Sequence, residues 1–110
     1  MTTRFVAAAA QYPVEALADW DHYEEKLSRW VAQAAAGGAA LLVFPEYGAM
    51  ELASLEPATM GDLQGSIAFV ASLLPRVDAL HARLARAHGL HILAASAPWR
   101  GEDGRFRNRA

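Results

Sequence analysis

Glu46 is the residue whose type and setting best suit chemistry. It follows the apolar run Leu41-Leu42-Val43-Phe44 and Pro45, and Tyr47 comes next. In an open α/β sheet, ligands bind in the crevice outside the carboxyl ends of the strands. A carboxylate held there between two aromatic residues is expected to lose part of its hydration, and desolvation favours the proton-holding form that a general base must reach. On the residues alone a second role stays open: Glu46 can cap the short helical stretch expected over Ala49 to Leu55.

Other chemistries fail on residue type or spacing. The chain has no cysteine among its 110 residues, which removes disulfides, thiolate metal sites and a cysteine nucleophile within them. His81 and His88 share a helix face, but seven residues of helix rise separate them by roughly 10 Å, too far to share one zinc. No metal or other cofactor is expected. Gly37-Gly38 follows a helix and precedes a strand, the reverse of a phosphate-binding loop. No G-x-S-x-G elbow is present, and Ser66 and Ser96 lie in other contexts. Asp19, Asp21, Glu24 and Glu25 read as a solvated helix start.

Ten basic residues against twelve acidic ones leave a net charge of -2, without the footprint of a nucleic-acid binder. Arg105, Arg107 and Arg109 alternate, so they share one strand face. They read as a solvated edge that resists aggregation, the other reading being a site for an acidic substrate or partner. The run Phe5 to Ala10 is far shorter than the about 20 apolar residues that cross a bilayer. Neither a secretory leader nor a membrane partner is expected, which makes a cytoplasmic protein the default.

The elements that must position Glu46 follow from periodicity. Arg4 to Gln11 is a continuous apolar run closed by Tyr12-Pro13, and such a run suits a strand covered on both faces. Trp20, Tyr23, Leu27, Trp30, Val31 and Ala34 recur at helical spacing, predicting a helix from Trp20 to Ala36, started by Asp19 or Asp21 and stopped by Gly37-Gly38. Ala39 to Phe44 predicts a second buried strand, and 56–65 a loop. Ser66 to His88 predicts a helix with Leu73, Val77, Leu80, Leu84 and Ala87 on one face, kinked or restarted at Pro75 and ended by Gly89. His91 to Ala97 predicts a third strand stopped by Pro98. Gly101 to Gly104 reads as a turn before a fourth strand over 105–110. Strands alternating with helices imply an α/β layered sheet with right-handed crossovers. The two helices are expected to cover mainly one sheet face. The last alternation is still running at Ala110, so residues 1–110 are expected to be the N-terminal portion of one larger domain.

In four ordered blocks the chain resembles the nitrilase superfamily of carbon–nitrogen hydrolases. The first is the opening strand ending in Gln11 with Pro13 beyond it. The second is Gly38-Ala39-Ala40-Leu41-Leu42-Val43-Phe44-Pro45-Glu46. The third runs from Ala87-His88-Gly89 through Leu90 to Ser96, and the fourth is Asp103-Gly104-Arg105-Phe106-Arg107-Asn108-Arg109-Ala110. Each block alone is weak; the set, in order, covers nearly the whole chain. Ala95 departs from the glycine that the family often has there.

The resemblance implies the first half of an αββα sandwich. It also implies hydrolysis of a non-peptide amide, carbamoyl or nitrile bond by a glutamate, a lysine and a cysteine. The glutamate maps to Glu46, as general base, and Tyr47 becomes a candidate substrate contact. The lysine and cysteine fall beyond residue 110, and the only lysine here, Lys26, lies on the first helix. The implied partner is a small amide, carbamoyl or nitrile substrate, and a homo-oligomer is implied for the full-length protein. Two readings compete with the enzyme: a non-catalytic interaction module or degenerate subunit that keeps the fold's first half, and an unrelated small α/β ligand-binding domain.

Overall fold

In the computed structural model, which describes residues 4–59 and 61–110, three short strands form a parallel sheet. They are β1 (Ala7–Ala9), β2 (Leu41–Val43) and β3 (His91–Leu93), in the order β1-β2-β3. Helix α1 (Trp20–Ala36) connects the first pair. A 3-10 helix (Gly48–Leu55), a one-turn 3-10 segment (Pro57–Thr59) and helix α2 (Leu63–His88) connect the second. Strands β4 (Ala97–Arg100) and β5 (Phe106–Arg109) pair as an antiparallel hairpin.

The strand order explains the layering. The chain moves in one direction across the sheet, and right-handed crossovers then put both helices on the same face. The register aligns Ala8 with Leu42 and Leu42 with Ile92. That row faces the core, a single cluster that holds Leu42 together with Tyr23, Leu27 and Val31 of α1 and Val70, Val77, Leu80 and Leu84 of α2. The adjoining rows, Ala7-Leu41-His91 and Ala9-Val43-Leu93, point the other way. Ala7, Ala9, His91 and Leu93 are exposed, and Leu41 and Val43 are only partly covered.

Several element boundaries differ from the sequence reading. The first strand is three residues long, not eight, because only Ala7 to Ala9 find a paired neighbour in β2. The third apolar run divides, and Pro98 does not stop it. Pro98 lies inside β4, opposite Asn108, in a two-stranded hairpin that tolerates a missing donor. Helix α2 begins three residues before Ser66 and runs unbroken through Pro75. Pro75 is on the exposed side, where water can serve the carbonyl that loses its donor. Ala87 is exposed and not on the buried face. Asp19 caps α1, accepting a hydrogen bond from the His22 amide at 2.8 Å. The left-handed residue after α1 is Gly38, at φ 82°, one position past the cap. Within the expected loop, Met60 lies outside the described residues.

The two sheet faces should respond oppositely to substitution. Leu42→Ala is expected to cost about 2–5 kcal/mol in urea unfolding, as for other large-to-small core changes. Leu93→Ser, on the open face, should stay within about 0.5 kcal/mol of the parent while lowering the binding of a hydrophobic dye. Equal costs at the two positions would mean that both faces are covered.

Candidate functional site

Glu46 is positioned by the end of β2. The Phe44 amide still donates to Leu93 O at 3.0 Å, and the Phe44 ring is buried edge-on against Tyr12 and His81. Pro45 then turns the chain out of the sheet. Tyr47 takes a left-handed conformation at φ 57°, the one non-glycine residue with positive φ among the described residues. Such a backbone persists only where its surroundings enforce it, and functional loops are where it clusters.

Two contacts enforce it here. The Tyr47 amide donates to Ser96 Oγ at 2.7 Å, tying the loop to the β3–β4 junction. Gly48 lies against Ala95, so closely that a Cβ at position 48 would stand 2.8 Å from the Ala95 Cβ. The methyl at Ala95 thus fits because residue 48 has no side chain.

Glu46 is exposed, contrary to the expected desolvation, because Pro45 carries it past the sheet edge while Phe44 stays in the core. It does not cap the 3-10 helix either. The residue before that helix is Tyr47, and no side chain caps it. The Glu46 carboxylate instead accepts a hydrogen bond from Asn108 Nδ2, at 3.1 Å to Oε1, reaching across to β5. It borders a depression of about 320 Å³ floored by Phe44, Leu93, Ala94 and Ser96. The Asn108 amide thus holds one oxygen of a carboxylate that is otherwise open to solvent.

Tyr47, the other candidate, is half exposed and lines a separate groove on the far side of Asn108. Of the three arginines, Arg107 pairs with Asp103 at 2.7 Å, Arg109 stacks over Trp99 at 4.6 Å, and Arg105 is exposed. Arg107 holds the Asp103 carboxyl below its ordinary value, with help from the Arg105 amide. Among the described residues, no group of three or more His, Cys, Asp or Glu could hold a metal ion. Among the described residues no helix is long and apolar enough to cross a membrane.

A second cluster escaped the sequence reading. Lys26 and Glu51 are each only 3% exposed. Lys26 Nζ donates to Glu51 Oε1 at 2.9 Å and also to the Pro13 carbonyl. It lies 3.2 Å from Glu15 Oε1 and 4.1 Å from the Tyr12 ring centroid. Burial pushes the Glu51 carboxyl above its ordinary value, and the Lys26 ammonium pulls partly back. Burial and the Glu51 charge likewise hold the Tyr12 phenol proton firmly in place. The Tyr12 hydroxyl is buried without a partner in hydrogen-bond geometry among the described residues. The signal was the position of Lys26 itself, three residues after Tyr23 and four before Trp30, within the apolar stripe.

His81, the one buried histidine among the described residues, donates from Nδ1 to the Val77 carbonyl at 2.8 Å, and burial holds its imidazole below the ordinary 6.5. Comparison with family models, curated proteins and solved structures returned no match.

Two stability measurements follow. Lys26→Met should destabilise by about 3–5 kcal/mol, since it leaves Glu51 buried without its counter-charge, and adding Glu51→Leu should recover much of the loss. No recovery would mean that the lysine acts through its contacts to Pro13 and Tyr12 alone. For His81, the unfolded chain takes a proton before the folded chain does, so its contribution is present above pH 6.5 and falls away below it. The loss of stability between about pH 7 and pH 5 should be smaller in His81→Gln than in the parent; equal slopes would remove His81 as the cause.

Proposed function

We propose that the chain is the glutamate-bearing portion of a carbon–nitrogen hydrolase acting on a non-peptide amide, carbamoyl or nitrile group. The observation that supports it most is the state of Glu46: a carboxylate at the carboxyl end of a central parallel strand, open to solvent, oriented by an asparagine amide, on a loop whose left-handed residue is held by a buried serine. The four sequence blocks that resemble the nitrilase superfamily support the same reading.

In this reading the thiol of a cysteine outside these 110 residues gives its proton to Glu46, and its sulfur bonds to the carbon of the scissile group. For an amide, the tetrahedral intermediate collapses with loss of the amine, which takes up the proton. Glu46 then removes a proton from water, whose oxygen attacks the thioester carbon and releases acid and thiol. A lysine, also outside these residues, stabilises the oxyanion. Lys26 cannot serve, being committed to Glu51. Tyr47 is the proposed substrate contact. A cytoplasmic setting and a homo-oligomer of the full-length protein belong to the same proposal.

A second reading has its own observation. The chain contains no nucleophilic cysteine, and its lone lysine is locked in an ion pair. A non-catalytic α/β module with Glu46 as a relic accommodates both facts.

Glu46→Gln in the full-length polypeptide separates the two. The enzyme reading expects turnover to fall by about 10²–10⁴-fold with the thermal midpoint unchanged, because the amide can still face Asn108 but cannot take the thiol proton. Asn108→Ala should lower turnover by less, since it frees the carboxylate without removing it. Retained turnover in Glu46→Gln would rule out its role as base.

A further inference from the structure

Beside the Glu46 depression runs a groove of about 360 Å³, near the lower end of the range for small-molecule clefts. Its walls are Tyr47, Met50, Leu63, Ile67, Pro98 and Phe106, drawn from the loop, the 3-10 helix, the first turns of α2 and the β4–β5 hairpin. Leu63 and Tyr47 are 69% and 49% exposed, large apolar side chains held toward water on the rim of one groove. The charged wall residue, Arg107, is neutralised by two hydrogen bonds from its guanidinium to Asp103, at 3.1 and 2.7 Å. Among the described residues the groove therefore offers hydrocarbon contact and no unpaired charge.

Asn108 joins this groove to the Glu46 site. It lines both concavities, and its Nδ2 donates to Glu46 Oε1. A molecule whose scissile carbon sits at Glu46 can pass Asn108 and continue between Ile67 and Phe106. Resting on the hydrolase reading, we propose that this groove binds an uncharged hydrocarbon arm of the substrate, so that the preferred substrates are amides carrying an alkyl or aryl substituent, with no second charged group.

The arm's length should be read directly as affinity. Each methylene removed from water strengthens binding about fourfold, until the groove is full. The probes are acetamide, butyramide and hexanamide, with N-butylacetamide and N-hexylacetamide for an arm on the amine side. Dissociation constants come from amide chemical shifts of the full-length polypeptide, and hydrolysis is followed on the same samples.

The proposal expects affinity to rise with length in at least one series, shifts at Met50, Ile67 and the Asn108 side-chain amide, and a flat series in Ile67→Trp. Affinity independent of length in the parent protein overturns it. So do shifts confined to Leu41, Val43 and Leu93, which would place the probes on the open sheet face. Hydrolysis without length dependence removes the groove and leaves the hydrolase reading intact. Length dependence without hydrolysis of any probe removes the hydrolase reading, and with it the assignment of the arm to a substrate.

Discussion

The buried pair of Lys26 and Glu51 is the contact on which the placement of the Glu46 loop depends. Taking either charge out of water alone costs several kcal/mol, so each is tolerable only with the other in place. Lys26 belongs to α1, Glu51 to the 3-10 helix, and the Pro13 carbonyl and Tyr12 ring to the segment leaving β1. Three chain segments are thereby forced to one point. Hydrogen bonds extend the junction, from Leu17 N to Ser54 Oγ at 2.8 Å and from Ser54 Oγ to Glu51 O at 2.7 Å. The 3-10 helix begins two residues after Glu46, so anchoring one anchors the other. Ser96 and the close approach of Ala95 to Gly48 hold the near end of the same loop.

The one-directional strand order sets the second constraint. It gathers both helices on one face, where they bury Leu42 and its neighbours, and leaves Ala7, Ala9, His91 and Leu93 exposed on the other. Strands this apolar are ordinarily covered on both sides. The Glu46 site lies at the carboxyl edge of this sheet, next to Leu93 on the open face and next to β5 through Asn108.

Much of this was legible because it rests on local rules. The α1 stripe, the Asp19 cap and the β2 run ended by Pro45 are readable from periodicity, capping and proline sterics, and together they put Glu46 at a strand end. What was not legible depends on distant partners. The exposure of Glu46 follows from how far Pro45 swings the chain past Phe44. Its hydrogen bond spans to Asn108, 62 residues away. Pro98 read as a stop because the sequence does not show that its strand lies in a two-stranded hairpin, where a missing donor is tolerated. Lys26 could be placed on the first helix, but its burial could not be read, because only the fold brings Glu51 to it.

In the proposed function, Glu46 activates a cysteine thiol toward an amide-type carbon. The measurement that tests it most directly is the intact mass of the full-length polypeptide, quenched during turnover, followed by mapping of any adduct. The expected result is an acyl adduct on a single cysteine outside residues 1–110, which disappears in Glu46→Gln. A polypeptide with no cysteine, or an adduct that forms as fast in Glu46→Gln as in the parent, would contradict it.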